Sequence, residues 1–120
     1  MFPLTSPRAL LRTEGAAVLL LCALAYGQIP GSWIAFVALL LVPDLAALGY
    51  LRGSRLGAAT YNLAHTYLWP AALVGYWALV GDALVLGIGL VWAAHIGMDR
   101  MLGFGLKYPT AFRDTHLHRV

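Results

Sequence analysis

The stretch ALVLGIGLVWAAHIGMDRM at positions 83–101 decides the fold, because it is long enough to cross a bilayer and is polar at one end only. A transmembrane helix needs about 20 mostly apolar residues. The first twelve positions here are uncharged, and His95, Asp99 and Arg100 follow. His95 and Asp99 are four positions apart, so they share one face of a helix. The stretch therefore predicts a membrane-spanning helix with a polar site near one membrane surface.

The overall composition supports a membrane protein. The chain has 120 residues, of which 61% are apolar and 11% are charged, and its mean hydropathy is +0.76. Soluble domains are about 45–50% apolar and about 25% charged. A soluble chain of this size buries only about 60–70% of its surface, which is too little to cover so many apolar groups. The composition also excludes a disordered chain, a collagen-like repeat and a disulfide scaffold, since Cys22 is the only cysteine.

Three further apolar stretches lie upstream, separated by short polar breaks. Open sheet edges are not tolerated in lipid, and the sequence lacks the alternating pattern of a barrel strand. Short links force neighbouring helices to be antiparallel. We therefore predict an all-α polytopic membrane protein, one antiparallel four-helix domain with spans at about 9–26, 33–51, 56–80 and 83–101 and a cytoplasmic interfacial tail at 102–120.

The basic residues set the predicted orientation. All eight fall on one side of the four-span topology: before or at the start of the first span, in the loop 52–55, and after or at the end of the fourth. The positive-inside rule places that side, and both termini, in the cytoplasm. We expect a multi-pass protein of the bacterial cytoplasmic (inner) membrane. Its predicted partner is the lipid bilayer. Attraction to anionic lipid headgroups accounts for the net charge of +3, so no nucleic-acid partner is expected.

The first 25 residues also resemble a signal peptide, with Arg8 and Arg12 before an apolar run that ends in Ala23-Leu24-Ala25. We favour a retained span, because cleavage would leave three spans and put the chain ends on opposite sides.

The aromatic residues Phe104, Tyr108 and Phe112 recur four apart in the tail, which is typical of a segment at headgroup depth.

The polar side chains of the spans gather in the predicted cytoplasmic half. At a helical rise of about 1.5 Å per residue, Asp44 lies roughly 10 Å inside the end of its span, and Asn62 and His65 lie roughly 9–14 Å inside theirs. Ionisable groups in lipid normally face the bundle interior. We therefore predict one polar pocket formed by Glu14, Asp44, Tyr61, Asn62, His65, His95, Asp99 and Arg100.

Three functions of this pocket stay open at the level of the sequence. The first is a purely structural polar network. The second is a site for a divalent transition metal, with His65, His95, Asp44 and Asp99 as ligands. Two imidazoles and two carboxylates suit zinc, iron or manganese. In a membrane-embedded metalloenzyme, Asp44, Asp99 and His116 are the candidate catalytic residues; His116 either caps the pocket or is a solvated tail residue.

The third function is an ion or proton path, alone or as an accessory subunit of a membrane complex. The outer half offers few polar groups for such a path, mainly Gln28 and Asp82 at its rim. A dimer would supply a second set. The four tryptophans offer large packing surfaces for a homo-oligomer or a partner subunit.

Several motifs resemble the domain-of-unknown-function family 4260. They are Arg12-Thr13-Glu14-Gly15, Pro43-Asp44-Leu45, Tyr61-Asn62-Leu63-x-His65, Thr115-His116-Leu117 and, above all, the long match from His95 to Tyr108. The resemblance covers nearly the whole chain and implies a small bacterial integral membrane protein, without assigning a substrate or catalytic residues. The chain departs from the family pattern at Thr66, where a second histidine often stands, and at His118, where a glycine is usual.

Overall fold

A computed structural model describes residues 5–109 and 115–119, and within these ranges the protein is all-α, as predicted. Its elements in chain order are α1 (Pro7–Tyr26), α2 (Trp33–Leu40), a 3-10 helix (Val42–Arg52), α3 (Ser54–Ala64), α4 (Leu68–Val80), α5 (Ala83–Leu102) and α6 (His116–Arg119). Ser6 caps α1, with Pro7 at its first position, and Asp82 caps α5. Capping side chains satisfy N–H groups that have no partner within the helix.

Three helical segments of the described chain are long and apolar enough to cross a membrane: Pro7–Tyr26, Trp33–Arg52 and Ala83–Leu102. They correspond to the first, second and fourth predicted spans. Their length and hydropathy suggest a membrane protein.

The third predicted span, 56–80, is not one continuous helix. It consists of α3 and α4, and the chain turns at His65–Tyr67 between them. Pro70 explains the break, since a proline inside a helix has no N–H to donate and its ring clashes with the carbonyl four residues earlier. Pro70 instead occupies the first turn of α4, where the missing N–H is not needed.

The second predicted span also changes character along its length. It begins as α2 and continues from Val42 as a 3-10 helix. Pro43 cannot donate the hydrogen bond that would continue an α-helix, and the Asp44 N–H bonds to the Leu41 carbonyl three residues back at 3.2 Å. Asp44 therefore lies directly after the transition between the two helix types.

Helix α5 forms the centre of the fold, and α1 and α4 both pack along it. The crossing of α1 and α5 is close, because a Cβ atom built on Gly97 would lie 2.6 Å from the Gly15 carbonyl oxygen. Small residues allow such backbone contact between membrane helices. The Arg12 Nε group donates to the Met101 carbonyl at 2.9 Å, so the start of α1 lies beside the end of α5 and the two helices are antiparallel.

The two ends of the bundle differ in chemistry. At one end the core is apolar and aromatic, and consists of Tyr26, Phe36, Leu86, Leu90, Val91 and Ala94. At the other end the buried residues are polar, namely His65, His95, Asp99, Lys107 and Thr115. The 3-10 helix packs against α3 and, together with α5, brings the polar residues to one point.

The described tail returns to the polar end of the bundle. Lys107 pairs with Thr115 in an isolated antiparallel bridge, and Thr115 and Leu117 are buried. Phe104 is exposed and Tyr108 is half-buried, whereas Phe112 lies outside the described residues. The Arg8 Nε group donates to the Leu117 carbonyl at 3.2 Å, which holds the end of the chain against the start of α1.

Candidate metal centre

Four side chains converge at the polar end of the bundle. Asp44 comes from the first turn of the 3-10 helix, His65 from the turn after α3, and His95 and Asp99 from one face of α5. One ligand atom from each lies within 4.8 Å of every other. These are the four residues that the sequence predicts as metal ligands.

The distances between the four ligand atoms are short and nearly equal. The Nε2 atoms of His65 and His95 are 3.0 Å apart. The Asp99 Oδ2 atom lies 3.2 Å from each of them. The Asp44 Oδ1 atom lies 3.5 Å from His65 Nε2 and 3.2 Å from His95 Nε2.

This geometry fits a tetrahedral ion. Zinc binds imidazole nitrogen and carboxylate oxygen at about 2.0–2.2 Å, so neighbouring ligands of a tetrahedron are about 3.3–3.6 Å apart. The five distances measured here, five of the six edges, span 3.0–3.5 Å. These five distances lie within a few tenths of an ångström of the edges of a tetrahedral site, and the sixth, between the Asp44 and Asp99 oxygens, is at most 4.8 Å.

Tyr61 and its carbonyl orient the site. The His65 Nδ1 atom lies 2.8 Å from the Tyr61 carbonyl oxygen, which can only accept, so Nδ1 carries the proton. The Tyr61 ring stacks on the His65 ring with centroids 3.7 Å apart, and its hydroxyl donates to Asp99 Oδ2 at 3.3 Å. Partners of this kind set the tautomer and direction of metal-binding imidazoles. In the neutral form of His65, Nε2 thus presents a lone pair to the cluster.

The two faces of the cluster differ in exposure. The His95 and His65 side chains are 0% and 3% exposed, whereas the Asp44 and Asp99 side chains are 55% and 12% exposed. Both carboxylates line a cavity of about 350 Å³. The His95 Nδ1 atom is buried beside the Leu40 backbone, and no described acceptor meets it in hydrogen-bonding geometry. The two imidazoles and Asp99 therefore form the buried part of the site, and Asp44 forms its accessible side.

The other predicted pocket residues lie around the cluster rather than in it. The Asn62 side chain points to the tail, where it bonds both the N–H and the carbonyl of Lys107, at 2.5 and 2.7 Å. The Arg100 Nη2 group donates to the His65 carbonyl at 3.2 Å. Glu14 is exposed on α1 and is not one of the four clustered ligands.

His116 is also outside the four-ligand group. Its Nδ1 atom accepts from the Leu106 N–H at 2.8 Å, and its Nε2 atom lies 3.2 Å from Arg100 Nη1. Burial and the positive charge of Arg100 lower the pKa of His116 below its usual range. His116 therefore anchors the tail through the Leu106 N–H and is not one of the four clustered ligands, while its candidacy as a catalytic residue stays a prediction.

Lys107 is a site residue that the sequence interpretation missed. The sequence places Lys107 in the interfacial tail. In the structure Lys107 is only 4% exposed, and it lines the cavity beside the two carboxylates. Burial lowers its pKa, and the charge of Asp99 opposes that shift. Spacing alone offers no signal for this placement, because it depends on the return of the tail.

Together, the fold and the site define an all-α protein with helices suited to a membrane and a His/Asp donor set suited to a divalent metal. The chain belongs to the family described as domain of unknown function DUF4260, whose model matches residues 8–120. The resemblance seen in the sequence motifs is thereby confirmed. No curated protein and no solved structure matches the chain.

Proposed function

We propose that this protein is an integral membrane metalloprotein that binds one divalent transition metal, zinc, iron or manganese, through Asp44, His65, His95 and Asp99. The observation that carries the proposal is the set of five ligand-to-ligand distances of 3.0–3.5 Å. Three separate elements of the fold contribute to it, so local helix geometry alone does not produce it.

Electrostatics favours a cation at this point. His65 Nε2 presents a lone pair, and carboxylate oxygens of Asp44 and Asp99 lie 3.5 and 3.2 Å from it. Electron-rich atoms at such distances repel one another unless a proton or a cation lies between them. Two ionised carboxylates balance the charge of one divalent ion. A proton-bridged structural network is the competing interpretation, and metal analysis distinguishes the two.

The test is metal content and cobalt spectroscopy of the detergent-purified protein. We expect about one metal per chain and, after cobalt exchange, the intense visible absorption of a tetrahedral centre. His65→Ala and His95→Ala should abolish both signals. His116→Ala is the matched control, because it removes an imidazole that is not a cluster ligand. Sub-stoichiometric metal that is unchanged by His65→Ala and His95→Ala would refute the proposal.

We further propose that the metal centre lies near the cytoplasmic surface of the bacterial inner membrane, with both termini in the cytoplasm. Arg12 and Arg8, from the start of α1, bond to Met101 and to Leu117 at the polar end of the bundle. Basic side chains are retained on the cytoplasmic side of membranes. Reporter fusions at each terminus test the orientation, and a periplasmic signal from either fusion would contradict it.

A catalytic role for the metal is the second candidate, and the exposure of Asp44 favours it. Structural zinc sites are closed by four protein ligands, whereas catalytic sites keep an exchangeable position. The Asp44 side chain is 55% exposed and lines a cavity that also reaches Asp99. Displacement of Asp44 by another ligand would open the metal to that cavity.

A further inference from the structure

A second cavity, which we call the lateral cavity, lies between residues 39–46, Ala64 of α3 and residues 88–92 of α5. It measures about 270 Å³, and the described residues that line it are aliphatic residues, a proline and a tryptophan. The only polar side-chain group among them is the Trp92 indole N–H, which donates to the Ala64 carbonyl at 2.5 Å. A water molecule in a cavity needs about two to four polar partners. The lateral cavity therefore suits hydrocarbon rather than water.

The mouth of the lateral cavity lies on the side of the bundle. Its floor is formed by Pro43 and Val91, which are buried. Its rim is formed by Leu39, Val42 and Ile88, which are exposed. The three rim residues lie inside two of the segments that are long and apolar enough to cross a membrane. In the proposed membrane location, the cavity therefore opens toward lipid hydrocarbon.

The lateral cavity borders the two helix interruptions that build the cluster. The change from α2 to the 3-10 helix occurs at Val42 and Pro43, and α3 ends at Ala64. These residues line the cavity, and the next residue after each interruption is a clustered ligand, Asp44 or His65. The backbone breaks thus place the two ligands and leave the cavity beside them. Apolar atoms that face such a space lose dispersion contacts unless an occupant fills it.

The size and chemistry of the lateral cavity select the class of occupant. A helix with its side chains is about 10–12 Å across, so a partner helix does not fit into a space of about 270 Å³. Stable protein interfaces bury about 1,200 Å² or more, which a pocket of this size does not supply to a second copy of the chain. A lipid headgroup would lose its hydrogen bonds with water on entering such walls, which is costly. An unbranched acyl chain is both narrow and apolar, and it satisfies all of these conditions.

We propose that the lateral cavity is a binding site for one acyl chain of a bilayer phospholipid. The chain enters from the bilayer past Leu39, Val42 and Ile88 and packs against Pro43 and Val91. The headgroup stays outside the cavity, so binding depends on the chain. The inference rests on the proposed membrane integration and is independent of the proposed metal centre.

The experiment uses Trp92 as a probe, because its side chain lines the lateral cavity. The other three tryptophans are changed to phenylalanine, and the protein is placed in vesicles of dioleoyl phosphatidylcholine mixed with the same lipid brominated across its chain double bonds. Bromine quenches tryptophan fluorescence at short range, so we expect strong quenching of Trp92. Ala46→Phe fills the cavity and Val42→Phe narrows its mouth, and each should remove most of the quenching. The matched control is Ala78→Phe, which adds the same ring at an exposed position of α4 outside the cavity.

A second measurement avoids the tryptophan substitutions. Native mass spectrometry of the chain with all four tryptophans should show a retained phospholipid, which Ala46→Phe loses and Ala78→Phe keeps. Val42 is on the exposed rim, so Val42→Phe carries the comparison in both assays if Ala46→Phe does not fold.

The outcomes separate the lipid site from the other proposals. Equal quenching in Ala46→Phe, Val42→Phe and Ala78→Phe would overturn the site, because the contact would then come from lipid outside the cavity. Weak quenching of Trp92 before any of these changes would also overturn it. A dimer without retained lipid that Ala46→Phe dissociates would assign the cavity to a second copy instead. Protein that does not float with the vesicles refutes membrane integration and this inference with it, whereas cobalt binding tests the metal centre separately.

Discussion

The crossing of α1 and α5 provides a sharp test of the fold, because two glycines of α5 differ in what surrounds them. A Cβ atom on Gly97 would lie 2.6 Å from the Gly15 carbonyl oxygen and 2.9 Å from the Leu19 nitrogen, both backbone atoms. A Cβ atom on Gly87 would meet only the ends of the Ile29 and Tyr26 side chains, at 3.5 and 3.6 Å. Gly97→Ala and Gly87→Ala are therefore matched substitutions in one helix.

The expected energies follow from these distances. Replacing a helical glycine with alanine gains about 1 kcal/mol in intrinsic propensity at either position. At Gly97 the helices must separate by about 0.8 Å to restore an ordinary contact, and overpacking of this kind costs about 1–3 kcal/mol. Because backbone atoms cannot yield by changing rotamer, we expect the upper end of that range. Gly97→Ala should be about 3 kcal/mol less stable than Gly87→Ala.

The assay is thermal unfolding in detergent, followed by tryptophan fluorescence. A difference of this size corresponds to roughly 10 °C in Tm for a chain of this length. Gly97 also lies between His95 and Asp99, so Gly97→Ala should weaken cobalt binding while Gly87→Ala leaves it intact. A Tm of Gly97→Ala equal to or above that of Gly87→Ala would contradict the close backbone contact between α1 and α5.

Three further predictions concern the tail and the accessible ligand. Asn62→Ala removes two hydrogen bonds to Lys107 and should cost about 1–3 kcal/mol, detected as faster proteolysis of the tail. The lowered pKa of His116 means that its neutral form stabilises the fold above about pH 6.5, and that this contribution is lost as the pH falls through the lower folded pKa. The Tm should therefore fall more steeply between pH 7.5 and pH 5 for the wild type than for His116→Gln. Asp44→Asn should weaken cobalt binding roughly tenfold, against roughly a hundredfold or more for either clustered histidine, because its side chain is half-exposed.

Each of these predictions has a control or a contradicting result. Leu63→Ala changes an exposed neighbour of Asn62 on α3 and should leave proteolysis unchanged. Parallel pH profiles for the wild type and His116→Gln would show that His116 does not titrate against Arg100. A loss of cobalt affinity in Asp44→Asn as large as that in His95→Ala would contradict the assignment of Asp44 as the accessible ligand.

The long apolar helices and the polar end of the bundle were predictable from local sequence. The apolar run before His95 forms one helix, α5, and His95 and Asp99 lie on one face of it. The helix breaks were harder to predict. Apolar content favours a continuous span at 56–80, whereas Pro70 divides it, and His65 lies in the resulting turn. Hydropathy measures solvent preference, but proline acts through a single missing N–H and a steric clash.

The sequence by itself determined that this chain is all-α, that its helices suit a membrane, and that its ionisable residues gather at one end. These properties depend on composition and periodicity, which are local. Only the tertiary structure decided which atoms meet. Asn62 and His65 are three positions apart, yet one secures the tail and the other enters the cluster, because the chain turns between α3 and α4. Lys107 reaches the cavity only because the tail returns across the bundle, a long-range contact that spacing along the chain does not encode.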